Sequence, residues 1–123
     1  MIYKKEISDK IIGLAIEVHK NLGNGFLEKV YENAMMFELT KMNNIKAESQ
    51  YPVPVYYKNQ IVGEYFCDLL VEDEIIMELK VAKTIEPIHE AQLLHYLKAT
   101  GLKVGYIIYF GQSERLQFKR LVN

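Results

Sequence analysis

The chain has 123 residues, half of them hydrophobic, which is enough for one buried core and too few for two ordinary domains, so residues 1–123 are read as a single domain. Fifteen Lys and Arg against sixteen Asp and Glu leave a formal charge of -1, which removes any argument from an overall electrostatic pull toward phosphate backbones. The one cysteine, Cys67, cannot close an internal disulfide, Met1-Ile2-Tyr3-Lys4-Lys5-Glu6 lacks the apolar stretch of a signal peptide, and no apolar run is long enough to span a bilayer. The expectation is an unprocessed, soluble protein of a reducing cytoplasm with no membrane partner.

From Ser8, read as an N-cap, Ile11, Ile12, Ala15, Ile16, Val18 and Leu22 recur at helical spacing until Gly23. Gly23-Asn24-Gly25 makes a turn, and Leu27, Val30, Tyr31, Ala34, Met35 and Leu39 predict a second helix ending near Asn43-Asn44. Tyr51, Val53, Val55 and Tyr57 then alternate along a strand whose prolines, Pro52 and Pro54, place it at a sheet edge. After a turn at Lys58-Asn59-Gln60, a long strand runs from Ile61 to Val71. Glu72-Asp73-Glu74 turns the chain into a strand from Ile75 to Val81, giving an antiparallel hairpin. Pro87 opens a third helix that Gly101 closes. Val104 to Phe110 reads as a buried strand, Gly111-Gln112-Ser113 as a turn, and Leu116 and Phe118 mark a last short strand.

Glu78 and Lys80 lie two apart in one strand and so share a face of the sheet. A three-residue loop at Glu72-Asp73-Glu74 places Asp68 opposite Glu78; a two-residue loop would send the carboxylates to opposite faces and abolish any shared site. Two carboxylates on one face repel unless a cation lies between them, and such oxygen ligands suit Mg²⁺ or Mn²⁺. A neighbouring lysine can stabilise charge developing at phosphorus or help position and deprotonate an attacking water, so the group suits phosphodiester hydrolysis. Spacing alone would favour an ordinary surface ion-pair cluster. The strongly apolar strands Phe66-Cys67-Asp68-Leu69-Leu70-Val71 and Ile75-Ile76-Met77-Glu78-Leu79 argue against it, because uncompensated charge there is costly.

Gly25-Phe26-Leu27-Glu28-Lys29-Val30-Tyr31 resembles the motif of the GxxExxY protein family, itself similar to the PD-(D/E)XK nuclease superfamily. The resemblance extends to Asp68-Leu69-Leu70-Val71, Glu78-Leu79-Lys80, Pro87 to Tyr96, Ala99-Thr100-Gly101-Leu102, Phe110-Gly111 and Lys119-Arg120. It implies an α/β, restriction-endonuclease-like core with a central mixed β-sheet of four to five strands flanked by helices. Asp68 and Glu78 would bind Mg²⁺ or Mn²⁺, with Lys80 as catalytic lysine, the Leu79 carbonyl as a further ligand, and Glu28 as a further helical carboxylate ligand. Gln92-Leu93-Leu94-His95-Tyr96 is similar to the glutamine and tyrosine motif of related nucleases, in which Gln92 would orient substrate or the lysine and Tyr96 would lie near substrate.

Tyr31, on the face of Glu28, and His19, before the glycine turn, are candidate peripheral substrate contacts; core packing is the plainer reading of Tyr31. The histidines show no zinc spacing. The family's glycine turn often carries proline where this chain has Asn24, which bears on turn rigidity rather than chemistry. The function implied is metal-dependent cleavage of nucleic acid, with DNA as the expected partner. The alternative is a non-catalytic nucleic-acid-binding or protein-interaction module that retains the nuclease fold, and a third reading is a phosphoesterase acting on a small nucleotide. Lys83, Lys98, Lys103, Lys119 and Arg120 are candidates for a basic groove, and pairing into a homodimer through the proline-bearing edge is expected by analogy.

Overall fold

The computed structural model describes residues 2–112 and 114–123. Helix α1, Ile2–Leu22, buries Ile11, Leu14, Ala15 and Val18, with Ile7 and Leu22 packed beside them. This is the three-and-four spacing of an amphipathic helix. The helix begins before the predicted cap: Ser8 lies inside it, 6% exposed, one residue before Asp9, which pairs with Lys5 across one turn at 2.8 Å. Ile16, placed on the apolar face by the periodicity, is exposed at 45%. Gly23, in the left-handed region at φ 70°, donates its N–H to the His19 carbonyl at 2.8 Å and ends the helix.

Helix α2 covers Glu28–Met36 and passes into a π-helical stretch, Phe37–Met42. The sequence predicts plain helix to the asparagines. The wider last turn is instead held by the Asn43 amide on the Glu38 carbonyl at 2.7 Å and by the Ile45 N–H on the Leu39 carbonyl at 2.8 Å.

Five strands follow: β1 (Ala47–Tyr57), β2 (Gln60–Val71), β3 (Ile75–Lys80), β4 (Val104–Tyr109) and β5 (Gln117–Val122), with helix α3 (Pro87–Thr100) between β3 and β4. They form one sheet in chain order. Only β3 and β4 pair in parallel, because α3 carries the chain back across the sheet; the other neighbours are antiparallel. Pro87 opens α3, and Gly101, at φ 76°, closes it with an N–H bond to the Leu97 carbonyl at 2.9 Å. The prolines of β1 lie on the outer edge, as their missing donors require. Ser113, part of the predicted turn after β4, lies outside the described residues. No described helix is long and apolar enough to cross a membrane.

One core layer joins α1, α2 and one face of the sheet, through Leu69, Val71, Ile75, Met77, Leu79, Tyr106 and Ile108. The other lies beneath α3 and contains Cys67, Leu70, Ile76, Ile107 and Tyr109. Along β2 the alternation of faces reverses, since Leu69 belongs to the first layer and Cys67, two residues away, to the second. On β1, Ala47 packs with the first layer and Tyr51 with the second. The reversal falls at Gln50 and Asp68, between the pairs Ser49–Leu69 and Tyr51–Cys67. Gln50 adopts the left-handed region, φ 53°, which lets the ribbon turn over. Past this point β3 no longer accompanies β2, whose pairing with it covers only Leu69 to Val71. The rest of β1 and β2 therefore projects as a two-stranded arm.

Candidate active site

The loop between β2 and β3 has three residues, Glu72, Asp73 and Glu74, the first two at φ 53° and 56°. Leu69 pairs with Met77 and Val71 with Ile75, so the next residues outward, Asp68 and Glu78, face each other. This is the odd register that a shared site requires. The regular ladder stops there, and the carboxylates take over its hydrogen bonds. The Asp68 N–H donates to Glu78 Oε2 at 2.8 Å, and the Leu79 N–H donates to Asp68 Oδ2 at 2.7 Å. Each acid thus uses one oxygen to hold the opposing strand. Lys80 Nζ approaches the other oxygen of Glu78, Oε1, at 4.0 Å, with 18% of its side chain exposed.

Burial dominates the electrostatics. Glu78 is 4% exposed, and desolvation, reinforced by the charge of Asp68, pushes its carboxyl up from an ordinary 4.5 to about 8. The Asp68 N–H and Lys80 oppose that rise, and Glu28 adds to it. Asp68 is raised chiefly by burial; the Leu79 N–H and Lys80 pull the other way, while Glu32 and Glu28 raise it further. Negative charge therefore converges on this point from β2, β3 and α2. The half-buried carboxylate of Asp68, the buried one of Glu78 and the Leu79 carbonyl are hard oxygen donors of the kind that suits a small divalent cation. Among the described residues, no three His, Cys, Asp or Glu side chains stand together as a ready-made coordination group.

The remaining predicted residues fall in three places. Glu28 is exposed at the start of α2, where the helix dipole favours an acid and where the acid pair senses its charge. Gln92 and Tyr96 lie on α3 and line a cavity of about 760 Å³ between that helix and the arm. The phenol of Tyr96 is pushed up to about 12 by burial and then by the charge of Glu78. Tyr31 and His19 make contacts within the fold. Tyr31 is fully buried, stacks on Phe110 at 4.3 Å between centroids, and donates its hydroxyl to the Gly23 carbonyl at 2.7 Å, which fixes the glycine turn. His19 Nε2 meets the Gln112 carbonyl at 2.6 Å and ties α1 to the segment after β4.

The five basic residues do not form one groove. Lys119 and Arg120 are neighbours on β5 and point to opposite faces, and Lys119 is paired with Glu90 at 2.9 Å.

Two residues at the site, Glu32 and its partner Gln50, escape the sequence. Glu32 is 4% exposed, one turn beyond Glu28, and accepts from the Gln50 amide at 2.8 Å and from Lys29 at 2.7 Å. In the sequence it reads as one more solvated helix acid. Its helical spacing from Glu28 is the only signal, and the partner on β1 is what makes it an interior group.

A mixed sheet with a parallel pair at its centre, helices on both faces, and two acids and a lysine at the end of the β2–β3 hairpin define a restriction-endonuclease-like fold. The family model of the PD-(D/E)XK nuclease superfamily matches residues 5–121, and the chain belongs to that superfamily. Among solved structures the chain is similar to one described as the crystal structure of SSO0001, with a TM-score of 0.56 and 16% identity over 77% of this chain. That match covers 49% of the SSO0001 chain, so this chain spans about half its length. At such identity the likeness is one of fold. No curated protein matches.

Proposed function

We propose that the protein is a Mg²⁺- or Mn²⁺-dependent nuclease that hydrolyses phosphodiester bonds in nucleic acid, with DNA as its substrate, and that it is a GxxExxY-type member of the superfamily. The observation that carries this reading is the facing pair Asp68, half-buried, and Glu78, buried, at the point where the hairpin ladder ends, with Lys80 4.0 Å from Glu78. Asp68, Glu78 and the Leu79 carbonyl would hold the cation, with Glu28 supplying a further carboxylate from α2. Charge stabilisation on the phosphate and easier activation of water are what such a cation supplies when bound.

The chain's own groups divide the remaining work. Lys80 places its ammonium beside the acids, where it offsets negative charge growing on the scissile phosphate. Glu78, whose carboxyl burial and the charge of Asp68 raise to about 8, would hold the cation through its ionised form. Gln92 orients the substrate from α3, and Tyr96 closes the same wall.

The test is incubation of purified protein with Mn²⁺ and single-stranded DNA, duplex DNA, branched DNA and RNA. Cleavage of at least one, abolished in Lys80→Ala, is expected. No cleavage of any of them, or equal cleavage by the variant, overturns the reading, and the absence of Mn²⁺ affinity dependent on Asp68 and Glu78 would point to a non-catalytic module instead.

A further inference from the structure

The cavity beside α3 has a composition that the acid pair does not explain. It is walled by β1 and the outer part of β2 on one side and by α3 on the other, and its volume of about 760 Å³ lies in the range of small-molecule sites. Its floor is Tyr96, 5% exposed; its wall on the arm is Tyr65, whose ring stands 6.3 Å from that of Tyr96 and remains 53% exposed. Val53 gives an apolar back, Gln92 and His95 offer amide and imidazole groups, and among the described residues Lys98 is the one of fixed charge in the lining. An exposed tyrosine face, two hydrogen-bonding side chains and a single cation match the flat apolar body, polar edge and adjoining phosphate of one nucleotide.

Position adds to composition. Tyr96 lines the cavity and packs in the same core layer as Cys67, the chain neighbour of Asp68. The cavity exists only because β1 and β2 run on past the last pairing with β3 and overhang α3.

We infer that the groove between the arm and α3 is a nucleobase subsite: it receives one unstacked base of the substrate strand, laid on Tyr65 and held at its edge by Gln92 and His95, with Lys98 on the neighbouring phosphate. This rests on the reading of the acid pair as a nuclease centre. The substrate class it selects is single-stranded or locally opened nucleic acid, because a base inside a duplex stack cannot enter.

The inference is tested by binding in EDTA, where no cleavage occurs, using fluorescence anisotropy with three probes: a labelled twelve-nucleotide oligothymidylate, the same strand with abasic residues at its centre, and a blunt duplex. The intact single strand should bind about tenfold or more tightly than the abasic strand, the ratio expected for one base–aromatic stack, and the duplex should bind weakly. Tyr65→Ala, at an exposed position that leaves the core intact, should erase the difference between the first two probes, and Tyr65→Phe should retain it. Ala91→Trp, which places a large ring in the groove from the α3 side, should also erase it. Equal binding of intact and abasic strands, or undiminished discrimination in Tyr65→Ala and Ala91→Trp, overturns the inference. So does a dimer that Tyr65→Ala converts to monomer without base discrimination, which would make a second copy the occupant. Because no metal is present, base discrimination without Mn²⁺-dependent cleavage would refute the nuclease reading alone, and cleavage without base discrimination would refute the subsite alone.

Discussion

Gln50 donates its side-chain amide to Glu32 Oε1 at 2.8 Å across the gap between β1 and α2, and it does so from a left-handed backbone at φ 53°. The residue that turns the ribbon over also satisfies the buried acid behind the site. Backbone and side chain oppose each other here: the conformation costs about 1 kcal/mol in a residue with a Cβ, and a hydrogen bond to a charged acceptor returns about 1.5–3 kcal/mol. Gln50→Gly should lose the bond but relieve the strain, and Gln50→Ala should lose the bond and keep the strain. Urea unfolding should rank wild type above Gly and Gly above Ala, with the last two about 1 kcal/mol apart. An alanine variant at least as stable as the glycine variant would contradict this account of the reversal.

The acid pair makes stability depend on pH in an unusual direction. Glu78 titrates at about 8 when folded against an ordinary 4.5, so between those values the folded protein holds a proton that the unfolded chain has released. Stability without metal should therefore fall as pH rises through that window and level off above pH 8, with a slope approaching about 1.4 kcal/mol per pH unit for one proton. Asp68, raised as well, contributes in the same sense. Thermal unfolding in EDTA measures this, and Glu78→Gln should flatten most of the slope. Stability that climbs from pH 5 to pH 8 in both proteins would rule out a raised Glu78.

Metal affinity and catalysis should separate at Lys80. Its ammonium competes with a cation for Glu78, so Lys80→Ala should bind Mn²⁺ in calorimetry as tightly as wild type or more so, while cleavage drops by about a hundredfold or more. Glu78→Gln should lose both. If Lys80→Ala abolished Mn²⁺ binding, the lysine would have a structural rather than a chemical role.

Three glycines should respond to alanine in a fixed order. A Cβ on Gly111 would collide with the backbone carbonyls of Val81 and Ala82, which have no side-chain freedom with which to retreat. At Gly105 it would meet Leu93 Cδ1 at 2.8 Å, the end of a side chain that can shift, and at Gly13 it would meet nothing within 4 Å. Gly13→Ala, inside a helix, should stabilise by up to about 1 kcal/mol. Gly105→Ala should cost about 1–3 kcal/mol by overpacking and Gly111→Ala more than that, as read from denaturant midpoints.

The sequence carries the strands and the hairpin register because those follow from local rules. The prolines of β1 exclude a central position, the continuous apolar run of β4 requires burial on both faces, and three turn residues set Asp68 against Glu78. What it does not carry is set by contacts distant along the chain. Glu32 becomes interior only when β1 arrives with Gln50, and neither residue is unusual where it stands. The reversal of faces at Gln50 and Asp68 has no glycine to mark it. The π-helical turn at Phe37–Met42 rests on Asn43 and Ile45 closing back on it, a tertiary choice that periodicity does not record. Glu78, by contrast, is conspicuous in the sequence as a charge within an apolar strand, and that anomaly marks it as a candidate.

The exchange of backbone donors between the two acids gives the protein its own internal reporters. The amide protons of Asp68 and Leu79 each rest on a carboxylate oxygen of the opposite strand, at 2.8 and 2.7 Å. Their chemical shifts and solvent-exchange rates are therefore tied to whether those carboxylates are protonated, ionised or engaged elsewhere. A nitrogen-15 spectrum can follow two peptide groups through a titration with acid or cation and read the condition of the site before any substrate is known.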